Sequence, residues 1–169
     1  MKTCLRHAFA AFLLYAAAAA VRITGIAAPD AQVDEIHWRD RSYVLLHSFK
    51  DRKFTTFSSH LAHPGVAPSL IMAAGQETAQ RLQGQSEQKK EALRIDSLSA
   101  SRLACALFSS LAVPLLYLGL RPVWGSAAAL ASALFLAVDV QHLAVSRLAH
   151  LDGVLSVFTA GCILAYFYA

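Results

Sequence analysis

LACALFSSLAVPLLYLGL at residues 103–120, RPVWG at 121–125 and SAAALASALFLAVDVQHLAV at 126–145 decide how this chain is read. The two apolar stretches are each close to the roughly 20 residues that a helix needs to cross a hydrocarbon core. The first carries no charge and the second carries only Asp139. The link between them, with Arg121, Pro122 and Gly125, is too short for anything but a tight turn, which predicts two antiparallel neighbouring helices. Pro114 lies inside the first stretch, where a membrane helix tolerates it as a kink.

Outward from that hairpin, two more apolar blocks appear. Residues 153–169 stay apolar to Ala169 with no charged flank or helix stop, which predicts that the sequence ends within a span of a longer protein. Residues 7–28 follow Lys2 and Arg6 and contain one charge, Arg22, expected to snorkel to the interface. The same block also reads as a cleaved signal peptide, with small-residue sites between Ala16 and Ala20. The long apolar blocks that follow favour an uncleaved span. The expected fold class is therefore all-α, a polytopic membrane helix bundle of one domain. Its expected spans are 7–28, 103–120, 126–145 and 153–169.

Composition agrees with this reading. Of 169 residues, 56% are hydrophobic and 15% charged, with a mean hydropathy of +0.45; a soluble domain carries about 25% charged residues. The net charge of +4 is spread along the chain without a basic patch, which leaves no footprint for nucleic acid. Cys4, Cys105 and Cys162 stand far apart without metal-ligand spacing, so they outline neither a disulfide framework nor a zinc site. No internal repeat is visible.

Residues 29–101 form a polar outer loop with nine basic and nine acidic residues. Within it, residues 34–49 have helical character and residues 70–74 form a short apolar patch; both are too short to span and are expected to lie on the membrane surface. Residues 76–90, rich in Gln and Glu, are expected to be flexible or helical and to face solvent. Lys2, Arg6 and Arg121 fall on one side without an acid, which the positive-inside rule assigns to the cytoplasm and which turns the loop outward.

Span parity brings the chemistry-bearing residues to one side. Asp34, Glu35 and His37 follow the first span, while Asp139, His142, His150 and Asp152 follow the third. Asp34 and His37 are one helical turn apart on the same face, with Glu35 pointing elsewhere. A carboxylate there can act as a general base or hold a divalent metal, with Asp34 and Asp152 as the metal candidates. The simpler reading is an acidic first turn favoured by the helix dipole. Asp139 and Asp152 are the only acids beyond Asp96, and both border apolar helices, where an ionisable group usually has a partner. Arg39, Arg41, Arg102 and Arg147 are candidate phosphate partners through the planar guanidinium fork, or interfacial anchors. His63-Pro64-Gly65 offers a ring nitrogen at what is also an ordinary turn signal.

An apolar helix ending in Arg22-Ile23-Thr24-Gly25-Ile26 is followed by Val33-Asp34-Glu35-Ile36-His37 and by His63-Pro64-Gly65-Val66, then by Ser146-Arg147-Leu148-Ala149-His150-Leu151-Asp152. This order resembles the N-terminal region of the GT-C membrane glycosyltransferases, specifically the protein O-mannosyltransferase and lipid A aminoarabinose transferase group. The resemblance covers nearly the whole chain. It implies that Asp34 is the acid that activates the acceptor, with Glu35 as its companion. Asp152 corresponds to the acid of the second outer loop, and His63 to a motif near the carrier lipid. His37, Arg102, Arg147 and His150 join them as substrate- or phosphate-binding residues. Where many members have Asp-Pro at the end of the third span, this chain has Asp139-Val140.

The implied activity is inverting sugar transfer from a polyprenyl- or dolichyl-phosphate carrier to a protein, lipid or glycan acceptor. It would occur on the outer or lumenal face of a bacterial inner membrane or an endoplasmic reticulum membrane. Arginines or a divalent metal ion would neutralise the departing phosphate, and the carrier tail would lie among the membrane helices. Two other classes fit the composition. A transporter would carry intramembrane charges along a pathway, but here they cluster at one boundary and no midplane helix is interrupted. A non-catalytic membrane scaffold fragment fits the apolar blocks alone.

Overall fold

The computed structural model describes residues 2–52, 65–84 and 96–169. Among these residues seven helices follow in order: α1 (Lys2–Ile23), α2 (Val33–Asp51), α3 (Val66–Gly84), α4 (Ser97–Ser109), α5 (Ala112–Val138), α6 (Val140–Ser146) and α7 (Leu151–Tyr168). Among the described residues there is no strand. Three stretches of the described residues are long and apolar enough to cross a membrane: Leu5–Ile23, Ser97–Val138 and Leu151–Tyr168. The protein is a helical membrane bundle.

The middle stretch, 42 residues long, doubles back on itself. Arg102 reaches the carbonyls of Ile26 and Pro29 beyond the far end of α1, whereas the Tyr117 hydroxyl meets His7 near its start at 2.8 Å. His142 is back beside Arg22. The chain therefore descends from 102 to 117 and climbs again to 142. It reverses at Gly125, whose φ of 79° and ψ of 167° lie in a region open essentially to glycine alone. The turn expected over 121–125 is thus concentrated in one residue, with Pro122 still inside the helix before it.

Several boundaries differ from the pattern-based spans, each for a local reason. α1 stops at Ile23 because Gly25, with φ of 68°, starts a run of turns. Residues 103–120 are not one helix: α4 ends at Ser109 and α5 begins at Ala112. Pro114 then falls in the first turn of α5, where its missing N–H is no loss. The third apolar block ends at Val138, and Asp139 starts α6 by accepting the His142 amide at 2.7 Å. Residues 70–74 belong to the 19-residue helix α3. Gln76, expected at a solvent-facing surface, is 1% exposed. Its Nε2 donates to Ser101 Oγ at 2.9 Å and to Arg39 O at 3.2 Å. Residues 85–90 of that stretch lie outside the described residues.

Two cores hold the bundle. In the membrane layer, Ala11, Leu14 and Ala18 of α1 pack against Val113 and Tyr117 on one arm of α5 and Ala129, Ala133 and Ala137 on the other. Small side chains suit this place, because helices in lipid associate by close packing more than by a hydrophobic drive. The second core, Trp38, Met72, Cys105, Ala149 and Val154, fastens the loop helices α2 and α3 to α4 and α7. At the end of the bundle marked by Arg6 and Arg121, the exposed Trp124, Tyr166, Phe167 and Tyr168 form the aromatic girdle typical of a membrane–water boundary. Tyr168 Oη donates to Gly119 O there.

Candidate active site

The opposite end of the bundle is organised around Glu35 and Arg102, whose side chains are 1% and 2% exposed. Arg102 Nε donates to Glu35 Oε1 at 2.8 Å and Nη2 to Oε2 at 2.6 Å, the bidentate fork. The same guanidinium gives Nη1 to Ile26 O at 3.2 Å and Pro29 O at 2.9 Å, and Nη2 to Asp30 O at 3.1 Å. All five N–H groups of the arginine are thereby engaged. Glu35 is equally saturated. Besides the fork, Oε1 accepts the Ala149 amide at 2.8 Å, and Oε2 accepts the Gln32 amide at 3.2 Å. The last contact is the reach-back of a capping-box glutamate to the start of its own helix.

Burial alone would raise the Glu35 pKa. The hydrogen bonds from Arg102, Ala149 and Gln32, with the charge of Arg102, outweigh it and hold the carboxyl below the ordinary glutamate range. The clamp joins the turn after α1, the start of α2, α4 and the segment before α7. Sequence reasoning set Glu35 beside the base and Arg102 among the phosphate partners; in this geometry each is fully occupied by the other and by backbone. Their effect is to fix where their neighbours stand.

Those neighbours are the exposed groups. Asp34 precedes Glu35 on the first turn of α2 and faces outward, as does His37 one turn on. Asp152 lies three residues after Ala149, on the first turn of α7, and is exposed. The Asp152 Oδ2 stands 3.3 Å from His150 Nδ1, and the His150 ring meets the edge of Trp38 at 6.2 Å and 81°. The clamp thus gathers Asp34, His150 and Asp152 around one hub. His63 lies outside the described residues.

The remaining basic candidates are distributed around this layer. Arg39 pairs with Asp40 at 2.6 Å, and Arg41 lies over the Trp38 ring at 5.0 Å. Arg147 donates Nη2 to Thr24 O at the end of α1, while its Nε is buried without a partner. Asp139 caps α6, which accounts for it as the start of a helix. Among the described residues, no three His, Cys, Asp or Glu side chains stand close enough to hold a metal ion, so Asp34 and Asp152 have no third ligand there.

Arg22 was not read as part of this layer. Instead of snorkelling it is 0% exposed, donating Nη1 to Ala18 O at 3.0 Å and Nη2 to His142 Nδ1 at 2.7 Å. Since Nδ1 accepts, the His142 proton sits on Nε2 and is donated to Ser156 Oγ at 3.0 Å. Ser156 Oγ in turn donates to Gly153 O at 2.7 Å. The signal was available: a charge inside an apolar block usually has a buried partner.

A family model described as dolichyl-phosphate-mannose-protein mannosyltransferase matches residues 13–169, from the middle of α1 through every element of the site. The chain belongs to this mannosyltransferase family. No curated protein and no solved structure matches it. Membership in the mannosyltransferase family makes dolichyl-phosphate-mannose the type of sugar donor and a glycosyltransferase the type of enzyme. The exposed carboxylates around the clamp lie within the matched region.

Proposed function

We propose that Asp34 is the general base of an inverting mannosyl transfer from a lipid-phosphate carrier to a hydroxyl of a protein acceptor. The observation that carries this reading is the contrast between adjacent residues: Glu35 is buried and saturated, while Asp34 is exposed on a turn whose position the clamp dictates. A base must be both accessible and held, and Asp34 meets both conditions.

In the step, the acceptor oxygen forms a bond to the anomeric carbon of the sugar. The bond from that carbon to the phosphate oxygen breaks on the opposite face, and the acceptor proton passes to the Asp34 carboxylate. The carrier phosphate leaves with the electron pair. Arg147, only half-buried and with an unpartnered Nε–H, is the cation that supports the leaving phosphate in this reading. His150 and Asp152 orient the acceptor or the sugar from the α7 side. The site faces the outer or lumenal compartment, because Arg6 and Arg121 stand at the other end.

The test uses the full-length protein in membranes with dolichyl-phosphate-mannose and an acceptor peptide. Asp34→Asn keeps shape and hydrogen bonding but removes the proton acceptor, so turnover should fall by about 10² or more with the melting temperature unchanged. Near-normal transfer by that variant overturns the assignment and makes Asp152 the leading base.

A further inference from the structure

The His150 imidazole is closely positioned and still has one nitrogen to offer. Its backbone is fixed first: the Ala149 amide donates to Glu35 Oε1 at 2.8 Å, and the His150 amide is directed at Cys105 Sγ on α4. Its ring is fixed next. The edge of the buried Trp38 meets it at 6.2 Å and 81°, and Trp38 is itself held by the Arg41 guanidinium at 5.0 Å and by the backbone of Gly65. A Cβ at Gly65 would overlap Trp38 Cη2 and stand 2.7 Å from Cζ3, so the ring lies where it does because this residue is glycine. His150 Nδ1 is spent within the chain, 3.4 Å from the Asp152 amide and 3.3 Å from Asp152 Oδ2. Nε2 has no protein partner among the described residues, and the side chain is 27% exposed beside that of Asp152 at 58%.

We propose that His150 is the sugar-selecting residue of the transfer site: its Nε2 donates to one hydroxyl of the transferred mannosyl group, while Asp152 accepts from a neighbouring hydroxyl. The proposal rests on reading this face as the transfer site, and it deepens that reading by assigning the pair to the sugar. With Nδ1 accepting the Asp152 amide, the ring proton sits on Nε2. A second proton would go to Nδ1, facing Asp152 Oδ2, and Nε2 would still donate. Complementarity then selects the ligand. An ionised carboxylate only accepts and this Nε2 only donates, whereas a hydroxyl does both, so the two groups side by side fit adjacent sugar hydroxyls. A phosphate offers acceptors and would set its charge against the Asp152 carboxylate. An acceptor hydroxyl has a single proton, which the reaction sends to Asp34.

Position supports the same assignment. Trp38 lies one turn on from Asp34 along α2, at i and i+4, so the imidazole packed on Trp38 is set against the part of α2 that carries the proposed base. The Glu35 carboxylate fixes both ends of this arrangement, through its own place beside Asp34 and through the Ala149 amide beside His150. A rigid support with one free donor is what selectivity among sugars requires, because a site built to bond a hydroxyl discriminates against the analogue that lacks it.

The experiment uses the full-length protein in membranes with dolichyl-phosphate-mannose, a series of its deoxymannosyl analogues and an acceptor peptide. His150→Asn keeps a residue that caps a helix well but is too short to replace Nε2 at the sugar. It should raise the donor KM by about 3- to 10-fold, the worth of one neutral hydrogen bond, and leave the peptide KM and the melting temperature unchanged. One deoxymannosyl donor should lose a similar factor with the native protein and nothing further with His150→Asn, a coupling that a purely structural role would not produce. Gly65→Ala, which displaces Trp38 and the imidazole packed on it, should raise the donor KM by a smaller factor, and it carries the test if His150→Asn does not fold. An unchanged donor KM overturns the proposal and leaves His150 as a helix cap. Penalties that multiply independently across every deoxymannosyl donor do the same. So does a rise in the peptide KM instead, or an equal weakening of inhibition by sugar-free dolichyl phosphate, which would put the pair on the acceptor or on the phosphate. Turnover keeps this result apart from the Asp34 assignment: a near-normal rate for Asp34→Asn removes the base and leaves the donor KM of His150→Asn as it was.

Discussion

Arg102 and Arg22 are both buried arginines at the same end of the bundle, and they are held in opposite ways. Arg102 meets a carboxylate, and its remaining donors reach three loop carbonyls. Arg22 meets no acid among the described residues. Its charge rests against Ala18 O, near the negative end of the α1 dipole, and against a neutral histidine ring. The first arrangement ties distant loop segments to a membrane helix. The second ties α1 to α6 and α7 and leaves the buried Nε without a protein partner. Around the paired arginine the chain is fixed down to the backbone, and there the candidate base stands.

The strongest way to break this comparison is Arg102→Leu. It strands a buried carboxylate and frees three carbonyls, which should cost about 3–5 kcal/mol. Thermal unfolding of the full-length protein in detergent reads the loss, and an unchanged midpoint would show that the clamp does not hold the layer. Arg22→Met should cost less, about 1–3 kcal/mol, because it removes no partner of a buried charge and leaves only the His142 Nδ1 and a helix carbonyl unmet. A loss as large as that of Arg102→Leu would show that Arg22 has a counter-charge elsewhere in the complete protein. Asp139→Ala, which deletes the cap of α6 next to His142, should cost about 1 kcal/mol; the same unfolding measurement checks it.

The smallest effect is expected from pH. Because the folded Glu35 pKa is depressed, its contribution to stability is complete above the ordinary glutamate value of about 4.3. It is lost only as pH falls through the lower folded value. Between pH 7 and 5 the clamp should add no pH dependence. Below that value the unfolding midpoint should drop more steeply for the native chain than for Glu35→Gln. Parallel profiles would remove Glu35 as the acid-sensitive group.

The membrane bundle was legible because long uncharged blocks have few other uses, and Gly125 was legible as a turn because Pro and Gly stood between two such blocks. α3 was harder to see. Its buried residues include Ser69, Met72, Ala73, Gln76 and Ala79, of which only Met72 is large and apolar, too little to raise a helical period above the polar residues around them, so Gln76 looked like surface. The site was legible in location and less so in role. Asp34, Glu35 and Asp152 could be assigned to one side by counting spans. Nothing in their spacing tells which acid turns inward. That depends on Arg102, 67 residues away, and on the Ala149 amide, 114 residues away. Arg102 looked like a free cation for the same reason: the carbonyls that absorb its donors are backbone groups, which leave no mark on the choice of residue.

These separations also have a consequence for how the protein is made. The chain leaves the ribosome from its N-terminus at about 5–20 residues per second, so Ala149 appears roughly 6 to 23 seconds after Glu35. Throughout that interval Glu35 still lacks one of its donors. The clamp therefore closes only after the hairpin that reverses at Gly125 has been made. A chain arrested before that point would display Asp34 on a loop that the clamp has not yet fastened.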